Sequence, residues 1–373
     1  MIRFSAVFVV LCLASSAFAW AKENRYHYHH SHQDEPEDTL ILSHVLFRHG
    51  DRTPDVSTIY PTDPYMNETF FPYGKGQLTL QGKQRAFALG KSLRQRYNEF
   101  LGNLYTPDII EARSSAYPRT QMTLQLALTG LFPPTKEYRI AGGLNWQPIP
   151  YLYTDYEQDK LVATFRSCER IFDIVDDMEK TLYRNDLTQY NDLFAYLSEH
   201  SGWQVNNTRF TFFIQNTLKV ESEWGFELPE WTKKIWNTPE FTSASELFWK
   251  YMSGTKELNR INIGNLLQKI VTDTQNKIDG KNSRKIYLYS GHDFTVVPML
   301  AAFGNFDGKM APYTSHVIIE LHKINGIYGI KLFFQNYEQR LPKQLTIPGC
   351  DSFCPFDEFV KIAEDYYPGE KWC

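Results

Sequence analysis

The chain has 373 residues, of which 42% are hydrophobic and 22% are charged, a balance typical of soluble globular proteins. This length allows one or two domains with a sizeable core. Lys and Arg number 39 against 43 Asp and Glu, so the charge excludes a strongly basic protein and gives no support for a nucleic-acid partner.

Residues 1–19 have the three parts of a secretory signal peptide. Arg3 supplies the positive charge, FSAVFVVLCLA is the apolar run, and AFA, which ends at Ala19, is the small-residue cleavage site. We expect cleavage after Ala19 and secretion of the mature chain, with the lysosomal lumen as the alternative compartment. No later apolar run is long enough to cross a bilayer, so no membrane anchor is expected.

Residues 20–39 form a polar, acidic segment that holds four of the ten histidines, namely His27, His29, His30 and His32. The segment has almost no aliphatic residue that could pack in a core, so it is predicted to be a disordered tail. Weak binding of copper or zinc by the histidines is the alternative interpretation.

The next part of the chain is predicted to alternate between strands and helices. ILSHVLF (41–47) predicts a strand, and a long amphipathic helix is predicted within residues 78–102. DIIEARSS (108–115) predicts a second strand, which leads into a helix that begins at Pro118 and stops before Pro133.

The same alternation returns near the C-terminus. KIYLYSG (285–291) predicts a strand that a helix follows at once, and HVIIELH and YGIKLFF predict a hairpin that turns near Asn325. This order of elements predicts an α/β fold with a mostly parallel mixed sheet, covered by helices on both faces.

Residues 166–261 differ from their surroundings. They are polar and aromatic, with helical periodicity and little strand character. We therefore predict an inserted helical cap subdomain at 166–261, and an α/β core formed by residues 40–165 and 262–373.

Four cysteines remain in the mature chain, because Cys12 lies in the signal peptide. An even number in an oxidising compartment predicts two disulfides, and four cysteines allow three pairings. Cys350 and Cys354 lie in a short loop that is easy to close, which leaves Cys168 to pair with Cys373. Free thiols in the core are the alternative.

Two tripeptides of the form Asn-x-Thr begin at Asn67 and Asn206. Such tripeptides are N-glycosylation acceptors in exported proteins, although they are also frequent by chance. The predicted signal peptide gives them weight, so both asparagines are candidate glycosylation sites.

Charged side chains follow three of the predicted strands, at the positions Arg48, His49, Arg52, Arg119, His292 and Asp293. Ligands of open α/β sheets bind beyond the carboxyl ends of the strands, so we expect these side chains to share one pocket. Guanidinium forks and helix N-termini match tetrahedral oxyanions, which makes a phosphoryl group the predicted occupant.

This arrangement suggests a two-step phosphoryl transfer. His49 is the candidate nucleophile, because an imidazole nitrogen can attack phosphorus and form a covalent intermediate. Asp293 is the candidate acid, which protonates the leaving alcohol and then deprotonates the attacking water. The arginines neutralise the transferred group, so no metal and no other cofactor is expected.

The motif RHGDRTP (48–54), together with the distant SGHD (290–293), resembles the histidine acid phosphatases. LFPP, NWQPIP, LPEW and LTIPGCDSFCP are similar to segments of the prostatic, lysosomal and insect-venom enzymes. The resemblance implies that His49 accepts the phosphoryl group and that Asp293 is the acid. It assigns phosphate binding to Arg48, Arg52, Arg119 and His292.

The resemblance also implies a two-domain fold with a helical cap, no cofactor and, in many members, a homodimer. Vertebrate members carry a third disulfide, at whose positions this chain has Val220 and His316. An aromatic residue that shapes the vertebrate substrate pocket has no clear counterpart in residues 205–225.

We therefore predict a secreted, glycosylated acid phosphatase that hydrolyses phosphate monoesters. One alternative is a phosphatase of narrow specificity, either phytase-like or acting on lysophosphatidate-type substrates. Another is a catalytically silent binding protein with the same fold, but such a protein would be expected to lack at least one of the six site residues.

Overall fold

The computed structural model describes residues 39–369 and 372–373. The predicted signal peptide lies outside these residues, as does the predicted tail except for Thr39. Within the described part, the strands are β1 Thr39–Arg48, β2 Ile110–Ser115, β3 Leu152–Thr154, β4 Ile286–Gly291, β5 His316–Ile324, β6 Ile327–Gln335, β7 Lys343–Leu345 and β8 Cys354–Pro355. Strand β1 thus begins one residue before the predicted start of the folded part.

The described helices are α1 Leu80–Leu101, α2 Pro118–Leu131, α3 Thr164–Ser167, α4 Arg170–Lys180, α5 Arg184–Leu187, α6 Asn191–Ser201, α7 Thr208–Trp224, α8 Pro239–Met252, α9 Lys256–Ile278, α10 Asp293–Ala302 and α11 Phe356–Glu364. Of these, none is both long and apolar enough to span a membrane. Pro118 occupies the first turn of α2, where its missing N–H group costs no hydrogen bond.

The strands form one mixed sheet with the order β3-β2-β4-β1-β5-β6-β7, and β8 also pairs with β6. β3, β2, β4 and β1 are parallel to one another, whereas β5 to β8 add antiparallel pairings. The predicted α/β class is confirmed, with a larger antiparallel part than expected. The difference arises from β7 and β8, which are too short to show a periodicity in the sequence.

The side chains of β1 alternate between two apolar layers, as the two-residue period of a strand requires. Leu42 and Leu46 belong to the layer that includes helices α4 to α10. Val45 and Phe47 belong to the layer under α1 and α2. Both faces of the sheet are therefore covered by helices, as predicted.

Two helices span the predicted limits of the cap segment, at residues 166 and 261. α3 begins before residue 166, and α9 continues without a break across the predicted boundary at residue 261. Thr255 marks the start of α9, because its side chain accepts a hydrogen bond from the Leu258 backbone N–H. The division into core and cap remains a prediction. Helix α8 is the last helix before the N-cap residue Thr255.

Both predicted disulfides are present in the structure. Cys168 pairs with Cys373 across 205 residues, with their Cα atoms 5.6 Å apart. Cys350 pairs with Cys354, with a Cα separation of 5.0 Å. Cys168 is buried at the start of the helical segment, so the first disulfide fastens the C-terminus to that segment.

The two glycosylation candidates, Asn67 and Asn206, are both exposed. In the second tripeptide, Thr208 is buried, and its backbone N–H and hydroxyl both donate to the Glu179 carboxylate. The folded chain thus exposes the acceptor asparagines, and glycosylation remains a prediction at both.

Candidate active site

The parallel pairing of β1 with β4 brings the two sequence motifs together. Arg48 lies opposite Gly291 in the register, and the His49 backbone N–H donates to the Gly291 carbonyl over 3.1 Å. β2 pairs with the other side of β4 and leads into α2, which carries Arg119. Residues far apart in sequence therefore converge at one edge of the sheet, as predicted from the strand ends.

His49 is buried, with 2% of its surface exposed, and its ring is oriented by its own neighbour. Nδ1 lies 2.8 Å from the Gly50 carbonyl oxygen. A carbonyl can only accept, so the neutral imidazole carries its proton on Nδ1. This leaves the lone pair of Nε2 available for attack on an electrophile.

Gly50 lies against the first turn of α1 without any intervening side chain. A Cβ atom at Gly50 would lie 2.4 Å from the Gly82 carbonyl oxygen, and one at Gly82 would lie 2.1 Å from the Asp51 carbonyl oxygen. Both positions therefore require glycine. The contact fixes the backbone that carries His49 directly against a helix.

The surroundings of His49 favour its neutral form. Burial, followed by the nearby charges of Arg119 and Arg48, holds its pKa well below the ordinary value of 6.5. The His292 ring lies edge-on, with a centroid separation of 5.5 Å. Burial and the same two arginines also lower the pKa of His292.

Arg48 is the most deeply buried of the three arginines, at 1% exposure. Nη1 donates to the Ala311 carbonyl at 2.7 Å, and Nη2 forms an ion pair with Asp293 Oδ2 at 2.8 Å. The guanidinium also lies 4.2 Å from the centre of the Tyr313 ring. These contacts hold the guanidinium plane beside His49.

Arg119 is positioned by an acid that the sequence interpretation missed. Its Nη1 forms an ion pair with Asp55 Oδ2 at 2.9 Å, and its guanidinium stacks 4.2 Å from the centre of the Tyr117 ring. The Ser57 backbone N–H and hydroxyl both donate to Asp55. Although burial opposes ionisation, Arg119 and these hydrogen bonds lower the pKa of Asp55, so its carboxylate remains charged.

Arg52 differs from the other two arginines in its partners. Nη1 donates to the Thr53 carbonyl at 2.9 Å, and Nη2 donates to Asn216 Oδ1 at 2.8 Å. Both acceptors are neutral. Asn216 belongs to α7 and was not among the predicted site residues.

His292 and Asp293 lie at the start of α10. The His292 Nε2 atom is 2.9 Å from Ser115 Oγ, which joins the ends of β4 and β2. Asp293 Oδ1 accepts from the Phe294 backbone N–H at 2.9 Å, while Oδ2 faces Arg48. The predicted acid therefore lies at a helix N-terminus, beside the residue that precedes the predicted nucleophile.

A cavity of about 370 Å³ opens above these groups. His49, Arg52, Arg119, His292 and Asp293 line its base, whereas Arg48 lies deeper and does not line it. Its walls are largely aromatic, formed by Tyr117, Phe165, Phe172, Phe210, Phe212, Phe213 and Phe294. Three of these phenylalanines come from residues 205–225, the segment in which no clear aromatic counterpart was expected.

Two arginine donors, one at the base of the cavity and one beneath it, lack protein partners among the described residues. Among residues 39–369 and 372–373, the buried Nε–H groups of Arg48 and Arg119 have no acceptor. Buried donors without acceptors are costly, and oxygens of an anion at this site could accept from them. The structure brings all six predicted residues together, and their individual roles remain predictions.

Residues 39–335 match the model of the histidine phosphatase superfamily, branch 2. The chain belongs to this family. A venom acid phosphatase of Apis mellifera is 33% identical over 331 residues, which cover 88% of this chain and 85% of the relative. A lysosomal acid phosphatase of Rattus norvegicus is 32% identical over 329 residues, which cover 87% of this chain and 77% of the relative.

A third relative, the prostatic acid phosphatase of Rattus norvegicus, is 32% identical and covers 87% of this chain and 86% of its own length. The predicted resemblance to the histidine acid phosphatases is thereby confirmed. The names of all three relatives agree with the prediction of an acid phosphatase enzyme.

Solved structures support the fold of this histidine phosphatase. The phytase of Klebsiella sp ASR1 has a TM-score of 0.61 at 16% identity, covering 90% of this chain and 99% of the phytase. The Hafnia alvei phytase in complex with tartrate has a TM-score of 0.62 at 17% identity, covering 88% of this chain and 97% of the phytase. At these identities the likeness shows the shared fold alone.

Proposed function

We propose that the chain is a secreted acid phosphatase that hydrolyses phosphate monoesters through a phosphohistidine at His49. The observation that carries the proposal is the base of the cavity. There, the buried imidazole exposes the lone pair of Nε2 beside the guanidiniums of Arg52 and Arg119, with Arg48 beneath them. Among the described residues, the Nε–H groups of Arg119 and Arg48 have no acceptor. The family and its named acid phosphatase relatives support the same activity.

In the first step, the His49 Nε2 lone pair attacks phosphorus and forms the N–P bond, while the bond to the leaving oxygen breaks. For this step Asp293 carries a proton in place of its ion pair with Arg48, and it transfers that proton to the leaving oxygen, which departs as an alcohol. Arg52, Arg119 and Arg48 stabilise the negative charge that spreads over the phosphoryl oxygens in the transition state. None of these steps requires a metal ion.

In the second step, a water molecule replaces the alcohol. Asp293, now a carboxylate, takes a proton from the water as its oxygen attacks phosphorus. The N–P bond breaks, its electron pair returns to Nε2, and inorganic phosphate leaves. The hydrogen bond from Nδ1 to Gly50 holds the imidazole in the same tautomer throughout.

The lowered pKa of His49 accounts for activity in acid. Only the neutral imidazole is a nucleophile, and a pKa well below 6.5 keeps it neutral as the pH falls through 6.5. An exposed histidine would be protonated over that range and would lose its nucleophilic lone pair. The arginines therefore serve two purposes, because they bind phosphate and keep the nucleophile unprotonated.

The aromatic walls favour leaving groups with an apolar or aromatic body. Two further cations, Arg166 and Arg209, line the cavity, and Arg209 is already paired with Asp176 at 2.8 Å. An inositol polyphosphate would place several phosphates against the phenylalanines, where their charges would be poorly solvated. We therefore favour a general monoesterase over the phytase-like alternative, although the solved phytases share the fold.

The two disulfides suit an oxidising compartment, and one relative is named a venom enzyme while another is named a lysosomal one. These observations support secretion, with the lysosomal lumen as the alternative. Glycosylation at Asn67 and Asn206 belongs to the same proposal. A homodimer remains a prediction from the family resemblance.

Hydrolysis of a panel of esters between about pH 4 and pH 8 tests this function. We expect nitrophenyl phosphate to be hydrolysed with higher kcat/KM than glycerol phosphate, and inositol hexakisphosphate to be the poorest substrate. The kcat/KM for nitrophenyl phosphate should persist below pH 6.5. Binding of phosphate without turnover of any ester would instead support the silent binding protein, and a preference for the inositol ester would support the phytase-like alternative.

A further inference from the structure

We propose that Asn216, on helix α7 of the helical segment, is a positioning residue for Arg52. We infer that its amide orients the guanidinium and, being neutral, leaves the positive charge of Arg52 available to the substrate. The inference rests on the proposed function, since it assumes that Arg52 binds the phosphoryl group. It assigns to α7 a part in phosphate binding as well as in the cavity wall.

The contacts fix both side chains. Arg52 Nη2 donates to Asn216 Oδ1 at 2.8 Å, and the two residues are 8% and 3% exposed. A guanidinium has only donors, so the atom that faces it must be the amide oxygen. The amide nitrogen of Asn216 points to the weak acceptor Met310 Sδ, at 3.9 Å. The asparagine therefore holds one orientation, and Arg52 is held between it and the Thr53 carbonyl.

Arg52 differs from Arg48 and Arg119 in the charge of its hydrogen-bond partners. Arg48 and Arg119 each form an ion pair with a carboxylate, at 2.8 and 2.9 Å. Within residues 39–369 and 372–373, Arg52 has no carboxylate partner at ion-pair distance, and both of its acceptors are neutral. Arg52 is thus the arginine of the three whose charge is not compensated by a direct ion pair before substrate binds.

Replacing the neutral amide of Asn216 by a carboxylate would compensate the charge of Arg52 before substrate binds. An aspartate at 216 has the same size and can accept the same hydrogen bond, so Arg52 would keep its position. The new charge would pair with the guanidinium and repel the phosphoryl oxygens across a largely buried site. We therefore expect the conservative change to be more harmful to phosphate binding than removal of the side chain.

The next residue of α7 provides a matched control. Thr217 is also fully buried and donates to the Thr58 carbonyl at 2.7 Å, so it fastens α7 to the loop that follows the RHGDRTP motif. Unlike Asn216, it does not contact a predicted phosphate-binding arginine. Thr217→Val would remove an anchoring hydrogen bond of α7 while preserving side-chain size.

The experiment compares Asn216→Asp, Asn216→Ala and Thr217→Val with the wild-type protein. For each, we would measure kcat and KM for nitrophenyl phosphate, the inhibition constant of inorganic phosphate, and Tm. We expect Asn216→Asp to raise KM and the phosphate inhibition constant about tenfold or more, as loss of one charge-assisted contact would. Asn216→Ala should raise both by a smaller factor, and Thr217→Val should lower Tm with both constants unchanged.

Two results would overturn the inference. One is phosphate inhibition in Asn216→Asp that equals the wild-type value. The other is weaker phosphate binding in Asn216→Ala than in Asn216→Asp, which would show that the charge of the partner is unimportant. If Asn216→Asp fails to fold, a wild-type inhibition constant in Asn216→Ala would also overturn it. Failure of the proposed function is distinguishable, because the wild-type protein itself would then show no turnover.

Discussion

Helix α7 contacts two buried charged regions that are built in opposite ways. At Asn216 it reaches the arginine cluster, where two of three guanidiniums are paired with carboxylates. One turn further on, Glu221 is fully buried beside Asp63 and Tyr60, and no cation pairs with it among the described residues. Burial and the neighbouring Asp63 raise the pKa of Glu221 to about 9.

The difference shows how each region tolerates buried charge. At the arginine cluster, carboxylates compensate two of the three positive charges, and the remaining positive charge of Arg52 lines the cavity. Around Glu221, no described residue supplies an opposite charge, and burial therefore favours the protonated carboxyl. The first region depends on ionised groups, whereas the second depends on a protonated one and is suited to acid.

The largest expected effect is at the nucleophile of the charged region. His49→Ala should lower kcat by about 10⁴-fold or more, because it removes the proposed acceptor of the phosphoryl group. Tm should change little. Acid quenching of the wild-type enzyme with labelled substrate should trap phosphate on His49. His200→Ala, at a histidine outside the cavity lining, should leave kcat unchanged.

Trapping of phosphate on another residue, or substantial turnover by His49→Ala, would contradict the proposed mechanism.

Asp293→Asn tests whether the carboxylate paired with Arg48 is also the acid. The loss of kcat/KM should reach about 10²- to 10⁴-fold for alkyl phosphates and should be much smaller for nitrophenyl phosphate, which leaves without a proton. The measurement is kcat/KM across esters of graded leaving-group pKa. The dependence of log kcat/KM on leaving-group pKa should be steeper in Asp293→Asn than in the wild type. An equal loss for every ester would assign Asp293 to positioning alone.

Arg119→Ala removes one member of the compensated cluster. We expect a loss of about 2–4 kcal/mol of transition-state stabilisation in kcat/KM, by analogy with an oxyanion donor. Arg94→Ala, at an arginine of α1 that does not line the cavity, is the control. Kinetics of Arg119→Ala within a few-fold of wild type would show that Arg119 does not reach the phosphate.

The smallest effect is expected in the region of Glu221 and concerns the free energy of unfolding. Between pH 4.5 and about 9, the folded protein holds a proton on Glu221 that the unfolded chain releases. This group therefore lowers the free energy of unfolding as the pH rises, by at most about 1.4 kcal/mol per pH unit. Glu221→Gln should remove that dependence on pH. The free energy of unfolding of the mutant, relative to that of the wild type, should therefore be higher at neutral pH than at pH 5.

Denaturant unfolding of both proteins at pH 5 and pH 7.5 checks this prediction. Glu230→Gln, at a carboxylate whose side chain is 83% exposed, should shift stability equally at the two pH values. If Glu221→Gln also has the same effect at both, Glu221 is ionised in the folded protein, and the contrast between the two regions fails.

The sequence located the base of the active site because strand ends are visible in it. Arg48 and His49 end one apolar run and His292 ends another, and parallel pairing necessarily brings such ends together. The dipeptide Asn325-Gly326 likewise predicted the turn between β5 and β6, because Asn and Gly tolerate positive φ angles. In the structure the two φ angles are 51° and 83°.

The partners of the arginines could not be predicted in the same way. Asp55 lies in a loop and Asn216 on a helix of the inserted segment, so their contacts depend on how distant parts pack. Phe212 does not share the helical stripe of Phe210 and Phe213, so no pattern in the sequence indicates that all three line the cavity. Pairing between distant segments leaves no local pattern.

The Cys168–Cys373 bond makes a covalent ring of the second half of the chain. Asn216, His292 and Asp293 lie inside the ring, whereas His49 and the three arginines precede it. A protease that cuts once within the ring would release no fragment. A cut in the exposed stretch 136–146 would leave His49 and Asp293 on two chains joined by packing and strand pairing. The disulfide thus keeps Asn216, His292 and Asp293 covalently linked after a single cut within the ring, whereas their link to His49 depends on an unbroken chain before residue 168.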